Sequence, residues 1–296
     1  MESIVISVVI ANYNYGRFLP DALDSVIAQC GVPVVCDDGR SRLPIDNSLV
    51  ELIVVDGGSS DDSVEVIRRY ENSIAWWVSE RDNGQSDAFN KGFAHATGRL
   101  GCWLNADDLL LPGTLHDVIP FVKLHPYVEW IGGGTVWMLS DKTIVKCSMC
   151  FQAPKWAQKW MPGIIVGGPS SFFSIARLRE VGGFDVNMHY MMDHDIWLKF
   201  MKRGVVLYML KRYFWAFRLH ECSKTASNVK ESGLENKVGE GSSDSAILNR
   251  RYPRTMRWWH FICKLLAVCK LLDGTYLKSW HDTRLNSGMH IDRLKF

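Results

Sequence analysis

The sequence predicts an α/β fold with a mostly parallel central sheet flanked by helices. Three observations carry that reading. Apolar runs alternate with amphipathic segments over roughly the first hundred residues, the pattern of repeated βα units. The first run is continuously apolar, as a strand buried on both faces requires. Three runs end in small, polar or acidic residues, where an open parallel sheet places its ligands.

The elements follow in order. Ile4–Ile10 reads as the first buried strand, and Arg17–Gln29 sets Phe18, Leu19, Ala22, Leu23, Val26 and Ile27 on one helical stripe. Leu49–Val55 is the second strand. Ser63–Tyr70 is a helix with Val64, Val66 and Ile67 inward and Arg68 and Arg69 outward. A short strand at Ile74–Val78, a helix at Gln85–Ala96 and a strand at Leu100–Leu104 complete the repeat. Residues 31–48, rich in Gly, Pro, Asp and Ser, are longer than a usual connection and read as a surface insertion. Beyond Pro112 the pattern changes to a helix, strands near Val128–Ile131, Thr135–Leu139 and Thr143–Cys147, a helix at Ile196–Lys202, and strands at Val205–Leu210 and Phe214–Leu219. This half predicts a small mixed sheet. Glu221–Ser245 is polar and reads as a mobile loop. Arg254–Leu272 interleaves Arg257, Lys264 and Lys270 with Trp258, Trp259, Phe261 and leucines. It predicts an amphipathic helix, either packed on the domain or lying peripherally on an anionic membrane.

Composition excludes several classes. Hydrophobic residues at 47% and charged residues at 22% are those of a folded globular chain. A net charge of +2 is too small for a nucleic-acid binder. The N-terminal apolar run is too short and too β-branched for an export signal, and no stretch supplies the roughly 18 apolar residues of a spanning helix. The eight cysteines are scattered, and the CxxC of Cys147 and Cys150 lacks the second pair a zinc site needs, so reduced cysteines in a cytoplasmic protein are expected. Oligomeric state is not legible here.

The chemistry concentrates at three strand ends: Ala11, Asn12, Tyr13 and Asn14; Asp56 to Asp61; and Asn105, Ala106, Asp107 and Asp108. Two adjacent carboxylates beside apolar surface call for a counterion. Mg²⁺ or Mn²⁺ prefers carboxylate oxygens and shares its shell with a diphosphate, whose departure it would assist as a Lewis acid. No GxxxxGK[ST] loop and no GxGxxG after the first strand is present, which weakens kinase and dehydrogenase readings. Lys91, in SDAFNKG, is the nearest basic candidate for the phosphates.

The segments SVVIANYNYGRFLPDALDSVIAQ, ELIVVDGGSSDDSVEVI, SERDNGQSDAFNKGFAHATGRLGCWLNADDLLLPGTL, GGPSSFFSIARLREVGGFD and MMDHDIWLKFMKRG together resemble family 2 of the inverting GT-A glycosyltransferases, over residues 3–225. The resemblance implies a GT-A domain over 1–225, with a nucleotide-binding half at 1–112 and an acceptor half at 113–225. A loop and a helical C-terminal extension, 226–296, follow. It implies transfer of a sugar from a nucleotide sugar, UDP-linked by first expectation, to a hydroxyl of a glycan or polyprenol-linked acceptor in cell-envelope polysaccharide synthesis. By position, Asp56 matches the acid on the nucleobase, and Asn12 and Tyr13 match residues lining its pocket. Asp82, Gln85, Asp87 and Lys91 match a segment between base and diphosphate. Asn105, Ala106, Asp107 and Asp108 match the metal and ribose motif, with Asn105 where many relatives carry Asp. Arg218 and His220, in FRLHECSKT, match groups for phosphate and for metal or phosphate.

Direct displacement at an anomeric carbon needs a carboxylate to take the acceptor proton. The resemblance assigns Asp193 to that role and leaves Asp195 as the competing choice, with Met192 where many relatives carry Glu. A nucleotidyltransferase would share the sheet and a metal carboxylate, but ANYNYGRF stands where its glycine-rich basic loop would be. A catalytically degenerate nucleotide-sugar binder is the other alternative, suggested by Met192 and Asn105. Trp156, Trp160, Gly167, Pro169, Ser170 and His189 fall in the acceptor half, as sugar-stacking or core residues.

Overall fold

In the computed structural model, which describes residues 4–31, 34–35, 41–42, 45–158, 166–223, 243–252, 264 and 268–294, the predicted βα repeat is present in order. It runs β1 (Ile6–Asn12), α1 (Leu19–Ile27), β2 (Val34–Val35), β3 (Ser41–Arg42), β4 (Val50–Asp56), α2 (Ser63–Arg69), β5 (Trp76–Ser79), α3 (Gln85–His95) and β6 (Leu100–Asn105). The second half adds β7 (Leu109–Leu110), α4 (Thr114–Leu124), β8 (Trp130–Leu139), β9 (Ile144–Ser148), α5 (Lys155–Gln158), β10 (Ser171–Ser174), α6 (Ile175–Glu180), α7 (Met192–Lys202) and β11 (Tyr208–Leu219). Two further helices follow, α8 (Ser243–Arg251) and α9 (Thr275–Asn286).

Among the described residues nine strands form one sheet, in the order β5-β4-β1-β6-β10-β8-β11-β7 with β9 paired to β8. The first four run parallel, so their carboxyl ends share one edge. The continuous apolar runs belong at this centre because both faces are covered. Val8, Ile10, Leu52 and Val54 point into one core, and Val9 and Ile53 into the other. Helix α3 approaches closely through Gly92, where a Cβ would lie 2.3 Å from Val9 Cγ1.

The second half differs from its prediction in particulars. The two strands expected at 128–131 and 135–139 are one strand, β8, and those at 205–210 and 214–219 are one strand, β11. Register shifts between Met209 and Tyr213, and again before Trp215, let β11 carry Lys211 and Arg212 without breaking. Short antiparallel β10 joins the two halves between β6 and β8. Helix α7 begins at Met192 instead of Ile196, so Asp193 and Asp195 occupy its first turn, where the helix dipole favours acids. Asp244 of α8 braces its entry, accepting from the N–H groups of Tyr190 and Met191 at 2.6 and 3.0 Å.

Within the expected insertion, β2 and β3 pair antiparallel, and 32–33, 36–40 and 43–44 lie outside the described residues. So do 224–242 of the polar loop, 253–263 and 265–267 of the basic aromatic segment, and Trp160. No described helix is long and apolar enough to cross a membrane.

Candidate active site at the carboxyl edge of the sheet

The first strand end is built around Asp56, which is fully buried. Its carboxylate accepts from Asn12 Nδ2 at 2.7 Å, Gly58 N at 3.2 Å, Ser59 N at 2.9 Å, Ser79 Oγ at 2.6 Å and Ser59 Oγ. Five donors from its own chain hold both oxygens, and Gly58 closes the turn at φ 78°. Asn12 Oδ1, by contrast, is buried with no hydrogen-bond partner among the described residues. Tyr13 stands exposed beside it. Its ring and the Asp82 carboxylate flank Gly57, where a Cβ would meet Asp82 Oδ2 at 2.7 Å. The Asp82 Oδ1 atom accepts from Gly84 N at 2.8 Å, and Asp87 Oδ2 accepts from Asn83 N at 3.0 Å, so both acids shape the entry to α3.

The second cluster lies where β6 ends. Ala106 N donates to Ala11 O at 3.2 Å and joins this loop to β1. Gln85 Nε2 donates to Asn105 Oδ1 at 2.6 Å, and Asn105 Nδ2 donates to Asp108 Oδ2 at 2.8 Å. The other Asp108 oxygen accepts from Arg218 N at 2.9 Å. Burial, and then the charge of Asp107, raise the Asp108 carboxyl well above the carboxylate range. Both of its oxygens are thus engaged inside the protein. Asp107 differs: its Oδ2 lies 2.9 Å from His220 Nε2. The imidazole packs between Tyr15 and Phe18, with Nδ1 buried and unpartnered.

Arg218 is 1% exposed and faces inward. Its guanidinium donates to Asp107 O at 2.7 Å, Ser140 O at 2.9 Å and Asp21 Oδ2 at 2.9 Å, and stacks over Phe18. Lys91 pairs with Glu80 at 2.9 Å and lies 3.8 Å from Asp87. The two cations expected at the phosphates are therefore held by the chain's own acids and carbonyls.

Two donors fit one divalent ion. Ligands at right angles around an octahedral ion at about 2.1 Å lie about 3.0 Å apart, close to the Asp107–His220 separation. No group of three or more metal-ligating side chains occurs among the described residues.

The third cluster sets two acids on one helical turn in different surroundings. Asp195 is fully buried and bound on both sides, to Arg251 Nη1 at 3.1 Å and Lys199 Nζ at 2.8 Å, with Tyr252 OH at 3.3 Å. Arg251 also pairs with Asp185. Among the described residues the carboxyl of Asp193 meets backbone N–H groups alone, of His194 at 2.7 Å, of Gly168 and of Asp193 itself. Burial lifts it from the ordinary range to about 6, outweighing those donors. Arg251, Tyr252, Asp21 and Gly168 were not legible as site residues. Asp21 lies 197 residues from its partner Arg218, and Arg251 lies 56 from Asp195.

Residues 7–151 match the family model described as glycosyl transferase family 2. An uncharacterised glycosyltransferase of Nostoc sp. is 32% identical over 183 residues, 60% of this chain and 51% of that protein. The chain spans about half the length of the first curated relatives it matches. Among solved structures, S. aureus TarS 1-349 in complex with UDP-GlcNAc superposes with a TM-score of 0.58 at 16% identity, covering 74% of this chain and 60% of that one. The mannosyltransferase PcManGT from Pyrobaculum calidifontis, in complex with GDP-Man and Mn²⁺, superposes with a TM-score of 0.56 at 17% identity, covering 92% and 76%. At such identities the likeness is one of fold, and the fold is GT-A.

Proposed function

From a chain whose residues 7–151 form a glycosyl transferase family 2 domain, we propose an inverting transferase that moves a sugar from a nucleoside diphosphate sugar to an acceptor hydroxyl, with Asp193 as base. The observation that carries this reading is the contrast between Asp193 and Asp195. One carboxyl is free of side-chain partners and raised to about 6, while the other is locked between two cations. A carboxylate with a pKa just below neutral is ionised at working pH yet basic enough to take a hydroxyl proton as the oxygen attacks.

On the donor side, the nucleobase meets Asn12 and Tyr13. Asn12 Oδ1, buried without a partner, is a ready acceptor for a base N–H, and the Tyr13 ring is a stacking face. Asp56 acts from behind by fixing Asn12 and the Gly57–Ser59 turn. Gln85 and Asn105 continue the polar wall toward the ribose, beside Asp82. A divalent cation held by Asp107 and His220 would supply charge neutralisation for the departing diphosphate. Asp108 and Arg218 position Asp107, and Lys91 with Asp87 secures the start of α3. The acceptor is proposed to be a glycan or polyprenol-linked hydroxyl, approaching from the side of Gly168–Ser170.

The test is a panel of UDP, GDP and dTDP sugars with and without Mn²⁺, read by thermal stabilisation and by nucleotide release. Metal-dependent stabilisation by one class, with transfer lost in Asp193→Asn but donor binding kept, is expected. Normal turnover in Asp193→Asn would overturn the assignment of the base.

A further inference from the structure

We propose that the outward face of α9 is a docking surface for an anionic bilayer. The helix is amphipathic in the reverse of the usual sense. Its polar side is turned to the protein: Ser279 Oγ accepts from Met149 N at 2.9 Å, Thr283 Oγ1 accepts from Cys147 N at 2.9 Å, and Asp282 accepts from Tyr213 OH at 2.7 Å. These contacts lay α9 along β9 and fix which side looks out. Thr275, Asp282 and Asn286 are buried there.

At 100° per residue the opposite side carries Tyr276, Leu277, Trp280, His281, Arg284 and Leu285. Trp280 is 56% exposed and Leu277 59%. In the helical residues 268–272, just before α9 in sequence, Leu272 is 79% exposed and Val268 and Leu271 more than half. Single exposed leucines are ordinary, but aromatic and aliphatic side chains gathered exposed on one helix face mark an interaction site.

Charge selects the occupant. The outward side of α9 holds one cation, Arg284, which lies over the Trp280 ring at 5.6 Å, and no acid; His281 beside it lies 3.3 Å from the buried Asp282 carboxylate. The two nearest acids are turned away: Asp282 is buried and paired with Lys278, and Asp273 caps the helix by accepting from Thr275 N and Oγ1. Trp and Tyr beside an arginine, with leucines between, match the interface of a bilayer. Aromatic rings lie there at headgroup level, cations meet anionic lipids, and aliphatic side chains enter the acyl boundary. A second protein surface would more often supply acids to pair the arginine and polar groups at the rim.

The experiment sediments the full chain with vesicles of phosphatidylcholine alone, or mixed with phosphatidylglycerol, at low and at physiological salt. The wild type is expected to pellet with the anionic vesicles, and less as salt rises. Leu277→Ser with Trp280→Ser should lower binding at least tenfold, and Arg284→Glu about fivefold or more, each with an unchanged melting temperature because these side chains lie outside the core. Wild-type pelleting no greater with anionic vesicles than without lipid would overturn the proposal. Equal pelleting of the variants would do so too, as would a concentration-dependent dimer that the same substitutions abolish. Sugar transfer in detergent-free solution reads the active site separately, so loss of vesicle binding leaves the assignment of the base untouched.

Discussion

Asp193 and Asp195 lie two residues apart in one helical turn, and what separates them is the company each keeps. The Asp193 carboxyl is held near 6 by burial, which makes two predictions about the single change Asp193→Asn. Activity should fall by roughly 10²–10⁴-fold in kcat, and the wild-type rate should titrate with a midpoint near 6, falling as the pH drops below it. Stability should move the other way. A carboxyl whose folded pKa is raised binds its proton more tightly when folded. Its ionisation therefore costs stability as pH rises from about 4 to 6, and the full cost stands above that window. The amide keeps one acceptor oxygen, for His194 N, and removes the cost of ionisation. The variant should be more stable than wild type at pH 8 by about 1–2 kcal/mol, after discounting for partial exposure, and equal to it near pH 4. Urea titrations at both pH values check this. The place of Asp193 in a motif is what the sequence offers for proposing it. That Asp195 is silenced was not legible, because its partners Arg251 and Tyr252 come from a helix far along the chain.

At the scale of elements, the parallel half was legible because its physics is local. Each of its strands is an apolar run, and helix α3 shows its own period of 3.6. The close fit of α3 was not legible, since Gly92 reads as a weak helix former until Val9 is seen beneath it. Gly92→Ala would ordinarily favour the helix. Here the new methyl meets Val9 Cγ1 at 2.3 Å, and overpacking should destabilise by about 1–3 kcal/mol, seen as a lower denaturation midpoint at unchanged m-value. The second half, where β8 and β11 pair in parallel while β7, β9 and β10 pair antiparallel, was less legible because β7 and β10 are only two and four residues long and take their place from neighbours. Arg218 illustrates the same limit. Sequence suggested a phosphate ligand, whereas its guanidinium joins α1, the β6–β7 loop and the β8–β9 turn. Arg218→Ala should cost about 3–5 kcal/mol in a urea titration. A residue that only gripped the donor would raise KM and leave the unfolding curve in place.

Over the whole molecule, the C-terminal helices belong to the catalytic body more closely than a trailing extension would suggest. Leu248 of α8 enters the core behind the sheet, Asp244 braces the start of α7, and Arg251 spans Asp185 and Asp195. The proposed base therefore sits on a helix whose polar underside is completed from beyond residue 242. The pairing has a physical signature that separates it from general packing. Removing Arg251 alone leaves Asp195 buried with Lys199 as its remaining cation, and an incompletely compensated buried carboxylate should cost about 3–5 kcal/mol. Removing the charge at both ends, with Arg251→Met and Asp195→Asn, leaves no buried anion to compensate. The double variant should therefore lose less than the sum of the two single losses, by about 1–3 kcal/mol of coupling. A double-mutant cycle in urea measures this directly. The same cycle read in kcat tests the link to function. If α8 holds the first turn of α7 in register, Arg251→Met should lower kcat at constant donor affinity, and the second substitution should restore part of it. Additive losses in both readouts would mean that Arg251 acts only through its bond to Asp185, outside the turn that carries the base.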